Sequence, residues 1–235
     1  MQRFIARSPM VVGEALSPAT YDIRGMPGTR SRSLDKDLEA LCKKAIEYGA
    51  QNAKLIPANK VVLDPRVRMK CSIPLCASYN NNLMCPPYVI DPEDFKEALS
   101  RYKHALVVQF FIDIKESEIK MKFKSKQLQD LVQSDVYLDA MRKHALKMEE
   151  LLGKLEKDAL YMGYRFATAL AGGSCKLCDE CVAVTGGKKC RHPFKARPSM
   201  EAVGIDVVAT AENAGIPVEF PAAERPVWTG LLLVE

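Results

Sequence analysis

His104-Ala-Leu-Val-Val-Gln-Phe-Phe-Ile112 is the strongest indication of the fold class, because it is apolar almost throughout. A membrane helix needs roughly 18 apolar residues, and neither this run nor any other in the chain reaches that length. A short run without polar alternation is typical of a strand that is buried on both faces. It therefore predicts an α/β fold, with a partly parallel or mixed sheet flanked by helices.

Helix and strand patterns alternate on both sides of this run. Leu34 to Tyr48 has apolar residues at helical spacing and is followed by Gly49, which can close a helix. The Asp91-Pro92 pair is a helix start, and that helix should reach about Tyr102. The remaining predictions are strands at 53–56, 61–63, 165–170 and 227–234 and a short helix at 207–214.

The segment 117–163 has the pattern of a long helix. Its apolar residues from Leu138 to Met162 alternate steps of three and four, which is a heptad seam. Leu146, Leu151 and Leu160 widen this stripe, which favours packing on a sheet within the same chain. A homodimer through the 138–162 helix is the alternative. The charged residues between, including Glu149 and Glu150, are expected on a solvated face.

The composition predicts an ordinary globular protein. Hydrophobic residues make up 48% and charged residues 27%, and the net charge of +5 is too small to indicate a nucleic-acid partner. Residues 1–33 are rich in Pro, Gly, Ser and Arg and are predicted to form an extended arm, with a single α/β domain over 34–235. We find no signal peptide, so we expect a cytoplasmic protein with reduced thiols.

The second of two cysteine groups has the spacing C-x2-C-x2-C, formed by Cys175, Cys178 and Cys181, with Cys190 eight residues further on. Structural zinc normally uses two separated C-x2-C pairs, whereas three cysteines at this spacing are characteristic of [4Fe–4S] loops. Cys190 is close enough to return to the same cluster. The group therefore predicts a closed [4Fe–4S] cluster, with zinc as the less favoured metal.

The first group contains three thiols, Cys71, Cys76 and Cys85, and Cys85 is followed by Pro86. Three thiolates suit a second [4Fe–4S] cluster in which one iron is not bound by cysteine. That iron is either open for substrate chemistry or completed by a residue from elsewhere, and we keep both hypotheses. Candidates for the missing ligand are Cys42, His104, His192, water and a substrate.

Basic residues surround the second group. Positive charge there would offset the charge of a cluster and could attract an acidic redox partner such as a ferredoxin. Aromatic residues are almost absent between the basic ones, which argues against nucleic acid. The basic residues are Lys176, Lys188, Lys189, Arg191, Lys195 and Arg197.

The cysteine motifs and their flanks resemble the domain of unknown function 2284 family of predicted metal-binding proteins. The resemblance includes Asp64-Pro-Arg-Val-Arg-Met-Lys-Cys71, Asn82-Leu-Met-Cys85-Pro-Pro-Tyr88 and Gly172-Gly-Ser-Cys175. It continues through Cys190-Arg-His-Pro193 and Ala196-Arg-Pro-Ser-Met200 and covers about Gly49 to the C-terminus. It implies metal or iron–sulfur binding in the cytoplasm of an anaerobic prokaryote, and implies no particular reaction.

The sequence thus favours an iron–sulfur protein with two [4Fe–4S] clusters that transfers electrons to or within a partner enzyme. The domain 34–235 would be metal-binding, with two cysteine-rich loops as ligands. The alternatives are a redox enzyme that uses an open-iron cluster at the first group, and a zinc protein stabilised by its metal. The cysteines assigned as ligands are Cys71, Cys76, Cys85, Cys175, Cys178, Cys181 and Cys190.

Overall fold

The structure is a computed structural model that describes residues 34–112, 135–218 and 227–235. The predicted arm over 1–33 lies outside these residues, as does the 117–134 part of the predicted long helix. Along the chain, the elements alternate between helices and strands, as the sequence predicted.

A four-stranded sheet forms the middle of the fold. Its strands are β1 (Asn52–Pro57), β2 (His104–Phe111), β3 (Thr168–Ala171) and β4 (Val227–Val234), in the order β1-β2-β4-β3. The three pairings are all antiparallel, so the expectation of a partly parallel or mixed sheet is not confirmed. In the described residues, parallel pairing is limited to an isolated bridge from Ala171 to Ser199.

One face of the sheet is covered by α1 (Leu34–Glu47) and α4 (Asp135–Met162). Leu106, Val108 and Phe110 of β2 belong to the same buried cluster as Met148 and Leu152 of α4. The apolar stripe of α4 is therefore packed within the chain, whereas a homodimer through this helix stays a prediction. None of the helices in the described ranges is sufficiently long and apolar to cross a membrane.

The opposite face is covered by shorter elements. These are α3 (Pro92–Leu99), α5 (Val207–Asn213) and a 3-10 turn at Glu201–Val203. Ala105 and Val107 of β2 lie in one buried cluster with Phe95 of α3 and Met200. Strand β2 is thus buried on both faces, as its apolar run predicted. An antiparallel sheet between two helical layers buries its inner strands as fully as a parallel one, so the run could not distinguish between them.

Helix α2 (Pro65–Ser72) was not predicted from the sequence. Its N-terminus has the same Asp-Pro signal as α3, with Pro65 in the first turn and the Asp64 carboxylate accepting a hydrogen bond from the Arg66 N–H. Cys71 lies in its last turn. The first cysteine group is therefore not purely a loop: one of its members is presented by a helix.

Candidate metal centres

The second cysteine group begins just beyond the end of β3, where two glycines let the chain pass close to β4. The Gly172 N–H donates a 2.8 Å hydrogen bond to the Thr229 carbonyl. A Cβ at Gly172 would lie 2.6 Å from that same oxygen, so no other residue fits without a backbone shift. Gly173 has a φ of +70°, a conformation that favours glycine. These glycines fix the direction in which the chain enters the cysteine loop.

The structure brings the four cysteines of the second group together around one cavity of about 300 Å³. All four are half-buried. The first-group segment also contributes to the wall of this cavity, through Ser78 and Asn82, and His192 lies in the wall as well. The quartet predicted from sequence spacing is therefore a spatial group. The cysteines are Cys175, Cys178, Cys181 and Cys190.

Backbone N–H groups point at two of these sulfurs. The His192 N–H donates to the Cys190 Sγ at 3.3 Å. Burial raises the pKa of the Cys175 thiol to about 12, and the Leu177 N–H acts in the opposite direction by stabilising the thiolate. Such N–H···S contacts are the interactions that hold and tune thiolate ligands.

The three cysteines of the first group line a separate cavity of about 220 Å³. Cys71 lies at the end of α2, Cys76 follows it and is exposed, and Cys85 is buried. The pKa of Cys85 is raised to about 12, chiefly by burial and also by the neighbouring Cys76 and Cys71, because adjacent thiolates repel one another. A bound cation or cluster would relieve this repulsion.

None of the three protein residues considered as the missing ligand lies in the wall of the first cavity. Cys42 is on α1 and packs against the core on the α1–α4 face, where burial raises its pKa. His104 begins β2 and pairs with Pro57 and Val234. His192 belongs to the second cavity. These three assignments are not supported.

Glu201 lies in the wall of the first cavity and was missed by the sequence analysis. Its carboxylate accepts hydrogen bonds from the Gly173 N–H, at 3.0 and 3.2 Å, and from the Ser199 hydroxyl at 2.8 Å. Its charge contributes to the raised pKa of Cys71 and of Cys85. No spacing signal could have found it, because it is far from the first group in sequence.

The two cavities adjoin. Ser78 lines both of them. The side-chain amide of buried Asn82 donates to the Cys175 carbonyl at 2.9 Å, and its Oδ1 accepts from the Met84 N–H at 3.0 Å. Cys175 also adds to the raised pKa of Cys85. The two cysteine groups are therefore neighbours that share an ordered polar contact.

Two charged residues differ from the sequence-based expectations. Glu149, expected on a solvated face, is buried in α4, where burial raises the pKa of its carboxyl to about 7 against the opposing effects of Cys175 and Arg197. Arg197, expected among the basic surface residues, is also buried and pairs with Glu156 at 2.5 Å. Both side chains are buried and so do not belong to an exposed surface beside the second cysteine group.

The side chains that could bind a metal are widely spaced. In the described part of the chain, no group of three or more His, Cys, Asp or Glu residues is close enough to hold a single metal ion. Tetrahedral zinc requires four donors at about 2.0–2.3 Å from one ion. A [4Fe–4S] cluster instead carries its irons at separate corners, each bound by a different thiolate. The seven cysteines around the two cavities supply thiols, the donor type that zinc sites and iron–sulfur clusters both use.

Comparison with known proteins gives a family. Residues 54–234 match the family model described as predicted metal-binding protein (DUF2284). No curated protein and no solved structure matches the chain. The matched residues include all seven cysteines of the two groups and most of the sequence. The chain therefore belongs to the DUF2284 family of predicted metal-binding proteins.

Proposed function

We propose that this protein holds two [4Fe–4S] clusters and transfers electrons to or within a partner enzyme. Cys175, Cys178, Cys181 and Cys190 would hold one cluster, and Cys71, Cys76 and Cys85 would hold the other. A cluster of this kind supplies one-electron storage at a potential set by its ligands and surroundings. The chain's own residues position the thiolates, donate hydrogen bonds to them and limit access of water.

The observation that carries the proposal is the contact between the two cysteine-lined cavities. Ser78 is common to both walls, and the Asn82 to Cys175 hydrogen bond crosses between the two groups. Two clusters held here would be close neighbours, so an electron could pass between them without a further carrier. Two structural zinc sites would gain nothing from this proximity.

A cationic surface beside the second group suggests the kind of partner. We define this surface by four exposed residues, Lys188, Lys189, Arg191 and Lys195. Phe194, which is 91% exposed, immediately precedes Lys195 in the chain. Positive charge around a solvent-accessible cluster speeds the approach of an acidic protein, and an exposed aromatic ring is a common contact residue at such interfaces. We propose an acidic, ferredoxin-like redox partner in a reducing cytoplasm.

Substitution of one cysteine in each group tests the two-cluster proposal. Anaerobically prepared Cys85→Ser should lose the first cluster and keep the second, and Cys178→Ser should do the reverse. EPR spectra of the reduced proteins distinguish the two signals, and Cys42→Ser, on α1 and outside the walls of both cavities, is the matched control. Loss of both signals in each variant would contradict two separately held clusters.

A redox enzyme is the second candidate function, and the exposure of Cys76 favours it. The first cavity has three cysteines and a solvent-accessible thiol, so a small substrate could reach an iron that lacks a cysteine ligand. A change in the EPR signal of the first cluster on addition of cyanide or a small thiol would support this function. A spectrum that is indifferent to every added ligand would count against it.

A further inference from the structure

We propose that Glu201 is the fourth ligand at the three-cysteine site and that it supplies a carboxylate oxygen to the metal group there. The inference rests on the proposed cluster at Cys71, Cys76 and Cys85. It goes beyond that proposal by identifying the group that completes the cluster, for which neither the family nor the cysteine spacing gives a residue.

The placement of Glu201 is the first argument. The wall of the first cavity contains the three cysteines and Glu201, and no other carboxylate or histidine of the described residues lies in it. Glu201 begins the 3-10 turn that packs against α2, which carries Cys71. The Arg68 guanidinium donates to the Ala202 carbonyl and ties this turn to α2. The carboxylate and the Cys71 thiol are therefore held by two elements in direct contact.

The hydrogen bonds of the carboxylate are the second argument. Oε2 accepts from the Ser199 hydroxyl and from the Gly173 N–H, whereas among the described residues Oε1 accepts only from Gly173, at 3.2 Å. A carboxylate has about four lone-pair sites, so Oε1 keeps capacity for a metal. Carboxylates that bind metals are themselves usually held by hydrogen bonds from outer residues. Ser199, which is buried, and Gly173 fill that role here.

The connections of Glu201 are the third argument. Gly173 leads into the second cysteine group, and the Ser199 N–H donates to the carbonyl of Met84, the residue before Cys85. The carboxylate is thus held by two residues that are each connected to a cysteine group, Gly173 through the chain and Ser199 through its hydrogen bond to Met84. A ligand held in this way would keep its position whether or not the exposed Cys76 loop moves.

The test compares Glu201→Gln with wild-type protein after anaerobic reconstitution. Gln keeps the size and one hydrogen-bond acceptor but is a poor iron ligand. The first-cluster EPR signal is the one that Cys85→Ser removes. We expect cyanide to leave this signal unchanged in the wild type and in the control Glu212→Gln, which alters an exposed carboxylate on α5. In Glu201→Gln we expect cyanide to shift it.

An identical response to cyanide in wild type and Glu201→Gln would overturn the inference. If Glu201→Gln fails to hold the first cluster, Glu201→Cys decides: a restored, cyanide-resistant cluster supports ligation at this position, and its absence counts against it. Iron and sulfide analysis of the wild type is done first. Protein without iron and sulfide would refute the proposed function itself, which is a different result from an unresponsive Glu201 variant.

Discussion

The side-chain amide of Asn82 donates a 2.9 Å hydrogen bond to the backbone carbonyl of Cys175. This contact joins the segment that carries the first cysteine group to the entry of the second, across 93 residues of sequence. Because Asn82 also accepts from the Met84 N–H, one buried side chain fixes backbone on both sides. The relationship makes the two groups one structural unit.

Replacement of Asn82 by Ala should therefore affect both groups. It leaves the Cys175 carbonyl and the Met84 N–H without their partner, at a cost of about 1–3 kcal/mol in the free energy of unfolding. We expect faster release of iron from both sites in a chelator-challenge assay. Asn81→Ala is the control, because Asn81 is exposed and bonds locally to the Ala77 carbonyl. Equal iron-release rates in the two variants would contradict a bridging role for Asn82.

Replacement of Gly172 by Ala should displace the chain at the end of β3. The new Cβ would stand 2.6 Å from the Thr229 carbonyl oxygen, so backbone must move, and overpacking of this kind typically costs about 1–3 kcal/mol. We expect a lower thermal midpoint and weaker metal binding at the second group. Gly153→Ala is the control: its Cβ would meet only the end of the Arg197 side chain at 3.6 Å, and Ala favours the helix. A Gly172→Ala protein as stable as Gly153→Ala would count against this account.

Reversal of charge on the cationic surface should slow electron transfer. Lys188→Glu combined with Lys189→Glu should lower the rate constant with an acidic ferredoxin at low ionic strength, and added salt should reduce the difference from wild type. Stopped-flow reduction of the protein measures both effects. Lys60→Glu, an exposed change just after β1, is the control. If all three proteins show the same rate and salt dependence, the partner docks elsewhere.

The cap of α2 should give the metal-free protein a dependence on acid pH. The Arg66 guanidinium and its backbone N–H hold the pKa of Asp64 at about 2, below its value of about 3.9 in an unfolded chain. The contribution of this carboxylate to the free energy of unfolding is therefore complete above about pH 4 and is lost as the pH falls towards 2.

Thermal unfolding followed by circular dichroism between pH 5 and pH 2 would measure this effect. Asp64→Asn can still cap the helix. Its thermal midpoint should therefore fall less steeply than that of wild type as the pH is lowered. Asp94→Asn, an exposed acid in the first turn of α3, is the matched control and should behave as wild type does. If the thermal midpoint of Asp64→Asn falls with acid as steeply as that of wild type, the Asp64 cap is not the cause of the acid dependence.

Four of the five predicted strands and most helices are present, because their signals are local. The strand predicted at 61–63 is wrong: Leu63 forms only an isolated bridge to Ile205. The final strand matches its predicted bounds of 227–234, and α5 ends one residue before the predicted position. The direction of pairing could not be predicted in this way. It depends on the path between β1 and β2, which passes through α2 and α3 and returns the chain antiparallel.

The seven cysteines that line the two cavities had been singled out by their spacing, which is also a local signal, and their role as metal ligands stays a prediction. Glu201 and Asn82 acquire their positions only through tertiary contacts, with Gly173 and Ser199 in one case and Cys175 in the other. Glu149 shows the same limit. Its place beside the apolar stripe of α4 predicted a surface charge, but tertiary packing buries it, with Cys175 and Arg197 as neighbours.

Direct analysis of iron and acid-labile sulfide in anaerobically purified protein tests the central proposal, that seven cysteines hold two iron–sulfur clusters. We expect about eight iron and eight sulfide per chain, the content of two [4Fe–4S] clusters, in a brown protein. Zinc without sulfide, in protein that stays colourless after anaerobic reconstitution, would contradict it.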